Sequence, residues 1–220
     1  MLTANAREQM IEQQVRAWDV LDERVLEVFR KVPREHFVPA QHAYVAFADL
    51  EVPLPCGQHM LRPSVAGRLL QALDLRGTER VLEVGAGSGY LTACLAAVAA
   101  HVTSLEVFAE LATLARANLA SLSVGNAEVL TADALQSGPE PGARVRYDAI
   151  AVTGSLPLAD ERFQRQLAVG GRLFVIVGDA PAMAAQRIRR TAEGTWTTES
   201  LFETVVDPLV NARRADSFVF

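Results

Sequence analysis

The chain has 220 residues, of which 50% are apolar and 21% are charged, and its formal net charge is −5. This composition is typical of a globular protein with one sizeable core, and it excludes a disordered or fibrous chain. A net negative charge without a block of lysine or arginine argues against nucleic acid as a partner. No apolar run approaches the ~20 residues of a membrane span, and the N-terminus lacks a basic and then apolar leader. We therefore expect no membrane insertion, no export and no nucleic-acid partner.

The cysteine and histidine residues indicate neither a disulfide scaffold nor a metal site. The two cysteines, Cys56 and Cys94, suit a reducing compartment. The four histidines and two cysteines lack the short spacings that zinc sites use. We expect a cytoplasmic protein that binds no metal.

The first third of the chain predicts helices and then an irregular segment. Residues 3–31 carry apolar side chains at helical spacing in two runs, and Asp22 is a suitable N-cap for the second run. The apolar positions of the first run are Met10, Ile11, Val15 and Trp18. Prolines and irregular apolar spacing predict coil with short turns over 33–63, and a helix follows at 63–73. Residues 1–75 thus form a predicted N-terminal helical and loop-rich extension.

From Arg80 onward, short β-branched runs alternate with helical ones, which predicts a parallel sheet covered on both faces. After residue 185 the pattern becomes strand, turn and strand, which indicates an antiparallel hairpin at one edge. We expect a single α/β domain over 1–220, whose core lies at 76–220.

The strongest local signal is "VLEVGAGSGYLTACLA", residues 81–96, in which a strand runs through three glycines into a helix. Gly85, Gly87 and Gly89 allow a sharp turn and the close approach of a ligand to main-chain N–H groups. A dinucleotide fingerprint would need its third glycine at position 90, which is Tyr90, and a P-loop would need a lysine. The spacing therefore indicates another ligand.

The pattern E-x-G-x-G-x-G, from Glu83 to Gly89, resembles motif I of the S-adenosylmethionine-dependent methyltransferases with a Rossmann-like fold. The resemblance implies that the loop, with Ala86, packs against the methionine part of S-adenosyl-L-methionine. It also implies that Glu106 accepts the ribose hydroxyls, an arrangement that dinucleotide-binding proteins share. The adenine amino group would bind Asp133 beside the main-chain N–H of Ala134. Glu83 would either hold the N–H groups of the loop or contact the ligand.

The N-terminal extension narrows this resemblance. The stretches "EQQVR" and "DERVLEVFRKVPREHFVP", the "GQ" ahead of the glycine loop and the late "LFETVVDPLV" resemble the protein-L-isoaspartate O-methyltransferase family, from Met10 to Val210. The resemblance implies methylation of the α-carboxylate of L-isoaspartyl residues in damaged proteins, with S-adenosyl-L-homocysteine as the product. It further implies a mostly parallel seven-stranded sheet with an antiparallel C-terminal edge hairpin.

The substrate loop departs from the family's form, which is G-Q-T-I-S-x-P. Here it consists of Gly57, Gln58, His59, Met60, Leu61, Arg62 and Pro63. His59 stands at the threonine position, and Leu61 stands at the serine position thought to serve the substrate carboxylate. The family's later threonine is retained as Thr153 in "VTGSLP". We expect His59, Leu61 and Arg62 to face the substrate, with His59 or Arg62 binding its carboxylate.

Two other readings share the cofactor site. One is a methyltransferase for a small-molecule carboxylate or phenol, which the apolar "HML" would suit. The other is an S-adenosylmethionine-binding protein without catalytic activity. Isoaspartyl peptides or proteins are the expected partner, and nothing in the sequence predicts an oligomer, so we expect a monomer.

Overall fold

A computed structural model describes residues 2–136 and 146–213. Helix α1 (Leu2–Met10) continues through a wider turn at Ile11–Val15 into a tighter turn at Arg16–Trp18. Helix α2 (Glu23–Lys31) begins after Asp22, whose side chain accepts a hydrogen bond from the Arg24 N–H, as predicted. Three of the four apolar positions in the first run are buried, but Trp18 is 42% exposed. Trp18 ends the tighter turn, and this change of helical turn interrupts the regular helical spacing before it.

The segment predicted as coil with turns contains more structure. Helix α3 (Arg34–Phe37) is followed by 3₁₀ turns at Ala40–Val45 and Pro55–Gly57. Strand β1 (Val52–Pro53) pairs antiparallel with strand β2 (His59–Met60), so one strand of a small two-stranded ladder lies in the substrate loop. Two-residue strands are too short to show a period, and the sequence therefore gave no sign of them. Helix α4 (Pro63–Leu73) has the predicted bounds, with proline in its first turn.

The remaining described elements are the strands of the main sheet and the helices between some of them. They are β3 (Arg80–Val84), α5 (Tyr90–Ala96), β4 (His101–Glu106), α6 (Ala109–Ser121), β5 (Ala127–Thr131), β6 (Tyr147–Leu156), α7 (Glu161–Arg165), β7 (Leu167–Asp179), β8 (Ala182–Ala192) and β9 (Thr195–Glu203).

These strands form one sheet in the order β5-β4-β3-β6-β7-β8-β9. The pairs from β5 to β7 are parallel, and the β7–β8 and β8–β9 pairs are antiparallel. The predicted seven-stranded, mostly parallel sheet with an antiparallel C-terminal edge is confirmed. Chain order reverses between β3 and β6, and ligands bind at such switch points, outside the carboxyl ends of the strands.

The N-terminal extension packs directly on the sheet layer. One cluster of buried apolar side chains runs from Met10 to Val206 and includes residues of both parts. The rings of Phe29 and Phe37 lie with their centroids 6.3 and 5.6 Å from that of Tyr90, on α5. Both ends of the predicted domain, residues 1 and 220, lie outside the described residues. Within the described ranges, no helix has the length and apolar character needed to cross a membrane.

Candidate functional site

A cavity lies at the carboxyl ends of β3, β4 and β6 and reaches across to β2. It encloses about 1010 Å³ of empty space, open solvent at its mouth included. The predicted cofactor residues that line it are Gly85, Ala86, Gly87, Glu106, Asp133, Ala134 and Thr153. The predicted substrate-loop residues that line it are Gln58, His59, Met60 and Leu61. The fold thus brings the two predicted groups together, whereas Gly57, Arg62, Pro63, Glu83 and Gly89 are not part of this lining.

The glycine loop is packed too closely for side chains. Gly85 has a φ of +94°, and a Cβ there would lie 2.3 Å from the Thr153 Oγ1. That hydroxyl is within hydrogen-bonding distance of the Val84 and Gly85 carbonyl oxygens, at 2.9 and 3.0 Å. Gly89 precedes α5 with a φ of +85°, and a Cβ there would lie 3.2 Å from the main chain of Ala115. Both positions therefore need glycine for conformation and for space.

Glu106 ends β4 with its carboxylate in the cavity wall and is only 4% exposed. Its Oε2 accepts a hydrogen bond from the Gly87 N–H at 2.9 Å, and its Oε1 accepts one from the Phe108 N–H at 3.0 Å. Each carboxylate oxygen has a second lone pair. The carboxylate is therefore held by the main chain and still has acceptor capacity for a pair of ligand hydroxyls.

Asp133 follows β5 and is also held by hydrogen bonds. Its Oδ1 accepts from the Leu135 N–H at 2.8 Å, and its Oδ2 accepts from the Asn211 side-chain amide at 2.7 Å. Ala134, beside it, lines the cavity as well. The sequence analysis missed Asn211, because nothing in the local pattern connects it to a residue 78 positions earlier.

Glu83 lies behind the glycine loop, facing α5 and β4 rather than the cavity. Its Oε2 accepts hydrogen bonds from the Thr92 and Ser104 hydroxyls at 2.5 and 2.6 Å. Complete burial raises the pKa of the Glu83 carboxyl to about 7, although the two hydroxyls act in the opposite direction and the Glu106 charge adds to the rise. In the described structure Glu83 accepts hydrogen bonds from these two hydroxyls rather than from the loop N–H groups, and it is not part of the cavity lining.

The substrate loop is anchored to the N-terminal extension. The fully buried Arg34 donates from Nε to the Ala46 carbonyl at 3.1 Å and from Nη2 to the Leu61 carbonyl at 3.0 Å. Its guanidinium lies 4.9 Å from the ring centroid of Tyr90. These contacts fix the main chain of the loop at Leu61, whose side chain faces the cavity.

Asp49 holds the far end of the loop. Its carboxylate accepts from the Ser64 N–H at 2.9 Å and from the Ser64 hydroxyl at 2.8 Å, in the first turn of α4. The loop is therefore fixed on both sides of Arg62. The sequence analysis did not identify Arg34 and Asp49 as residues that hold the loop, because an arginine or aspartate in an irregular segment is usually exposed to solvent.

The C-terminal segment 206–210 also lines the cavity. The His59 Nδ1 lies 2.7 Å from the Asp207 Oδ2. Asp207 is itself placed by the end of β6, since its carbonyl accepts from the Ser155 N–H and the Leu209 N–H donates to the Ser155 carbonyl, each at 2.9 Å. The stretch "LFETVVDPLV" contributed to the resemblance, but the sequence assigned Asp207 no role.

Arg62 is not among the residues that line the cavity. It precedes α4 outside the cavity lining, and its Nε is buried without a hydrogen-bond partner in the described part of the chain. Glu51 lines the cavity, and burial raises the pKa of its carboxyl. The nearby Arg62 and His59 charges oppose that rise, and Asp207 adds to it. No group of three or more potential metal ligands occurs among the described residues.

Known proteins resemble the chain over nearly its whole length. The family model for protein-L-isoaspartate(D-aspartate) O-methyltransferase matches residues 5–214. Protein-L-isoaspartate O-methyltransferase 1 of Rhodopseudomonas palustris is 41% identical over 208 residues, which cover 94% of this chain and 84% of the relative. The enzyme of the same name from Trichlorobacter lovleyi is 38% identical over 195 residues, which cover 89% of this chain and 88% of the relative.

A solved Plasmodium falciparum chain, named as a protein-L-isoaspartate O-methyltransferase and in complex with S-adenosyl-L-homocysteine, matches with a TM-score of 0.78 at 21% identity. The match covers 92% of this chain and 97% of that chain, and it confirms the Rossmann-like methyltransferase fold. Together with the family model and the curated relatives, the fold and the site lead to one conclusion: this chain belongs to the protein-L-isoaspartate O-methyltransferase family.

Proposed function

We propose that this protein transfers the methyl group of S-adenosyl-L-methionine to the α-carboxylate of L-isoaspartyl residues in damaged peptides and proteins. Membership of the family supports this activity. The observation that carries it is that the substrate loop and the glycine loop line the same cavity. A methyl donor on one wall can thus meet a carboxylate on the other.

The residues of the first wall fit the cofactor. Gly85 and Gly87 have positive φ values and leave room for close approach of a ligand to the main chain. Glu106 would accept the ribose hydroxyls, and Asp133 with the Ala134 N–H would bind the adenine edge. Thr153 holds the loop from behind through the Val84 carbonyl. When bound, the cofactor would supply a sulfonium methyl group that a carboxylate oxygen can accept, with neutral S-adenosyl-L-homocysteine as the leaving group.

The protein's own contribution to this reaction is alignment. A peptide α-carboxyl has a pKa of about 3.5, so it is already ionised at pH 7 and needs no general base. Catalysis then consists of holding the carboxylate oxygen about 3–3.5 Å from the methyl carbon, in line with the sulfur. Leu54, Met60 and Leu61 give this part of the cavity an apolar wall that excludes water from the reacting groups.

The loop lacks the hydroxyl that its family places at position 61. An unpaired substrate oxygen at this point costs on the order of 1–3 kcal/mol. Such a loss reduces the rate without abolishing the reaction. Relatives of about 40% identity that are named for the isoaspartyl activity support this acceptor over a small molecule.

The organisation of the whole chain belongs to the same proposal. We propose a single domain over 1–220, because the extension and the sheet share one buried cluster. We further propose a monomer in the cytoplasm, without a nucleic-acid partner. The acidic balance of −5 and the free cysteines Cys56 and Cys94 support this.

The test is methyl transfer from labelled S-adenosyl-L-methionine to one peptide in its isoaspartyl and normal aspartyl forms. We expect label only in the isoaspartyl peptide, released as methanol in mild base because the product is a methyl ester. Calorimetry on the same preparation measures cofactor binding. Clear cofactor binding without label in the isoaspartyl peptide would contradict the proposed acceptor.

A further inference from the structure

The cavity is acidic for an enzyme whose substrate is a carboxylate. Among the described residues that line it, the carboxylates are Glu51, Glu106, Asp133 and Asp207. The single basic side chain in that described lining is His59. A substrate carboxylate next to uncompensated like charges is unfavourable unless a cation or strong donors face it.

His59 is positioned by groups on both sides. It stands on β2, which β1 holds through the pair Pro53 and His59. Its Nδ1 contacts the Asp207 Oδ2 at 2.7 Å, and the main chain of Asp207 is bonded to Ser155 at the end of β6. The His59 side chain is 36% exposed, and its Nε2 has no partner in the described structure. The ring is therefore oriented at one nitrogen and free at the other.

The charge state of the ring decides what the free nitrogen can do. A neutral imidazole that donates from Nδ1 to Asp207 has only an acceptor at Nε2, which would repel a carboxylate. An imidazolium donates from both nitrogens and can bridge two carboxylates. The other charged groups near this part of the lip are Glu51 and Arg62, and the Arg62 charge opposes the rise in the pKa of the Glu51 carboxyl.

We infer that the imidazolium of His59, held by Asp207, binds the substrate α-carboxylate through Nε2, in place of the hydroxyls that the loop lacks. This inference rests on the proposed function. Arg62 does not take this role, because it lies outside the cavity lining and close enough to Glu51 to affect that carboxyl. Asp207 acts through His59 and is a positioning residue.

Two consequences follow. Binding of an isoaspartyl peptide takes up a proton whenever His59 is neutral in the free enzyme. The site also distinguishes a free α-carboxylate from an α-carboxamide, since the amide brings no charge to pair with the imidazolium. Both properties depend on one side chain and leave the cofactor wall unchanged.

The first experiment compares His59→Gln and His59→Arg with the wild type in methyl transfer to an isoaspartyl peptide. Loss of a hydrogen bond to a charged group corresponds to roughly 10–150-fold, so we expect His59→Gln to raise KM by at least about tenfold with little change in kcat. His59→Arg restores most of the loss because it restores the cation. His42→Gln, a histidine outside the cavity lining, is the matched control and keeps the wild-type constants.

The second experiment measures peptide binding by calorimetry with S-adenosyl-L-homocysteine present, in buffers of different ionisation enthalpy. The wild type should prefer the isoaspartyl peptide over its α-carboxamide analogue, and it should take up a proton at any pH where His59 is neutral before the peptide binds. His59→Gln should lose both effects while its affinity for the cofactor stays within about twofold of wild type, a change below ~0.5 kcal/mol.

Asp207→Asn tests the positioning role, because its effect on KM should differ between the wild type and His59→Gln. In the wild type it raises KM, because the imidazolium loses its partner. In His59→Gln it leaves KM unchanged or lowers it, because only the repulsion between carboxylates remains to be removed. The same direction in both backgrounds would contradict the pair.

The two hypotheses fail in different ways. If the wild type methylates the isoaspartyl peptide and His59→Gln has the same KM, the role of His59 is wrong and the proposed function stands. If the wild type binds cofactor and neither binds nor methylates the isoaspartyl peptide, the proposed function is wrong and the role of His59 falls with it.

Discussion

The two walls of the cavity are built by different means. In the cofactor wall the carboxylates of Glu106 and Asp133 accept hydrogen bonds from main-chain N–H groups close to them in sequence or in the glycine loop. In the substrate wall the main contacts are made by side chains over long separations, 27 residues for Arg34 with Leu61 and 148 for His59 with Asp207. The cofactor wall is therefore held mainly by main-chain N–H groups, with Asn211 as an added side-chain donor, and the substrate wall by side chains that reach distant segments.

This difference predicts how substitutions act in the two walls. A substitution in the cofactor wall disturbs main-chain geometry, so the residue types there are narrowly constrained. In the substrate wall, Arg34 and Asp49 hold the backbone of the loop while the side chains that face the cavity can change. His59 and Leu61 stand at the loop positions where the resemblance implies hydroxyls. Substitutions should accordingly cost most in the cofactor wall.

The largest effect is expected for Gly85→Ala. A non-glycine residue at a φ of +94° costs about 1–3 kcal/mol. The new Cβ would also displace Thr153 from its two carbonyl partners. We expect the affinity for S-adenosyl-L-methionine, measured by calorimetry, to fall at least about 100-fold, or ~3 kcal/mol.

Gly77→Ala is the matched control for Gly85→Ala. Gly77 has a φ of +91°, but a Cβ there meets nothing within 4 Å, so the control carries the backbone strain without the collision. We expect a loss of stability and near-normal cofactor affinity. Equal cofactor affinities for the two variants would show that close packing at Gly85 is unimportant.

Glu106→Gln should have the next largest effect. The amide keeps the size of the side chain, but it replaces one of two acceptors with a donor that faces the Gly87 or Phe108 N–H. A hydrogen bond to a charged group contributes about 1.5–3 kcal/mol, so we expect cofactor affinity to fall roughly 10–150-fold. The KM for the peptide, measured at saturating cofactor, should change little. A larger change in the peptide KM than in cofactor affinity would contradict the assignment of Glu106 to the cofactor wall.

Glu83 should make stability depend on pH without changing binding directly. Its carboxyl has a pKa of about 7 in the folded protein against an ordinary value of 4.5, so the folded state retains the proton longer. The contribution of Glu83 to the free energy of unfolding is therefore fully present below pH 4.5 and is lost as the pH rises through 7. At ~1.4 kcal/mol per unit of pKa difference, the free energy of unfolding changes by a few kcal/mol in total, as an order of magnitude.

Glu83→Gln removes this titration. The free energy of unfolding of both proteins, measured with denaturant between about pH 4 and 8, should fall in the wild type relative to the variant as the pH rises. Parallel curves for the two proteins would contradict the raised pKa.

Arg34→Met should affect the substrate wall more than the cofactor wall. It leaves the Ala46 and Leu61 carbonyls without their donor, at a cost of about 1–3 kcal/mol for each buried group. The loop then loses its fixed position, and we expect the KM for the isoaspartyl peptide to rise by about tenfold, or ~1.4 kcal/mol. Cofactor affinity should remain within a few-fold of wild type.

Arg30→Met is the control for Arg34→Met, because Arg30 lies on α2 and pairs only with exposed glutamates in the described structure. Arg30→Met should change neither the KM for the isoaspartyl peptide nor the cofactor affinity. If Arg34→Met lowers the unfolding temperature but leaves the peptide KM unchanged, Arg34 supports the fold and does not position the loop.

The smallest effect is expected for Leu61→Ser, which restores the family's hydroxyl. Leu61 faces the cavity, so the serine can donate to the substrate carboxylate. A net gain of about 1 kcal/mol corresponds to a roughly fivefold lower peptide KM. Leu54→Ser, at another apolar position of the lining, should give no such gain. A KM that rises in Leu61→Ser would show that the apolar wall matters more than the hydroxyl.

Much of the cofactor wall could be predicted from the sequence. Strands that alternate with helices give a parallel sheet, and the carboxyl ends of its strands share one edge. Glu106 and Asp133 were therefore expected beside the glycine loop, and both line its cavity. Glu83 belongs to the same motif, but the direction of its side chain depends on which face of β3 packs against α5. The motif alone does not determine that packing.

The chain's periodic and contiguous patterns determined the sheet, the glycine loop and the residues that follow its strands, because such patterns depend on near neighbours. Only the tertiary structure decided the pairing of His59 with Asp207, the burial of Arg34 under the substrate loop and the exposure of Trp18. These features depend on how distant segments pack. A single residue in an irregular segment carries no period that would reveal its partner.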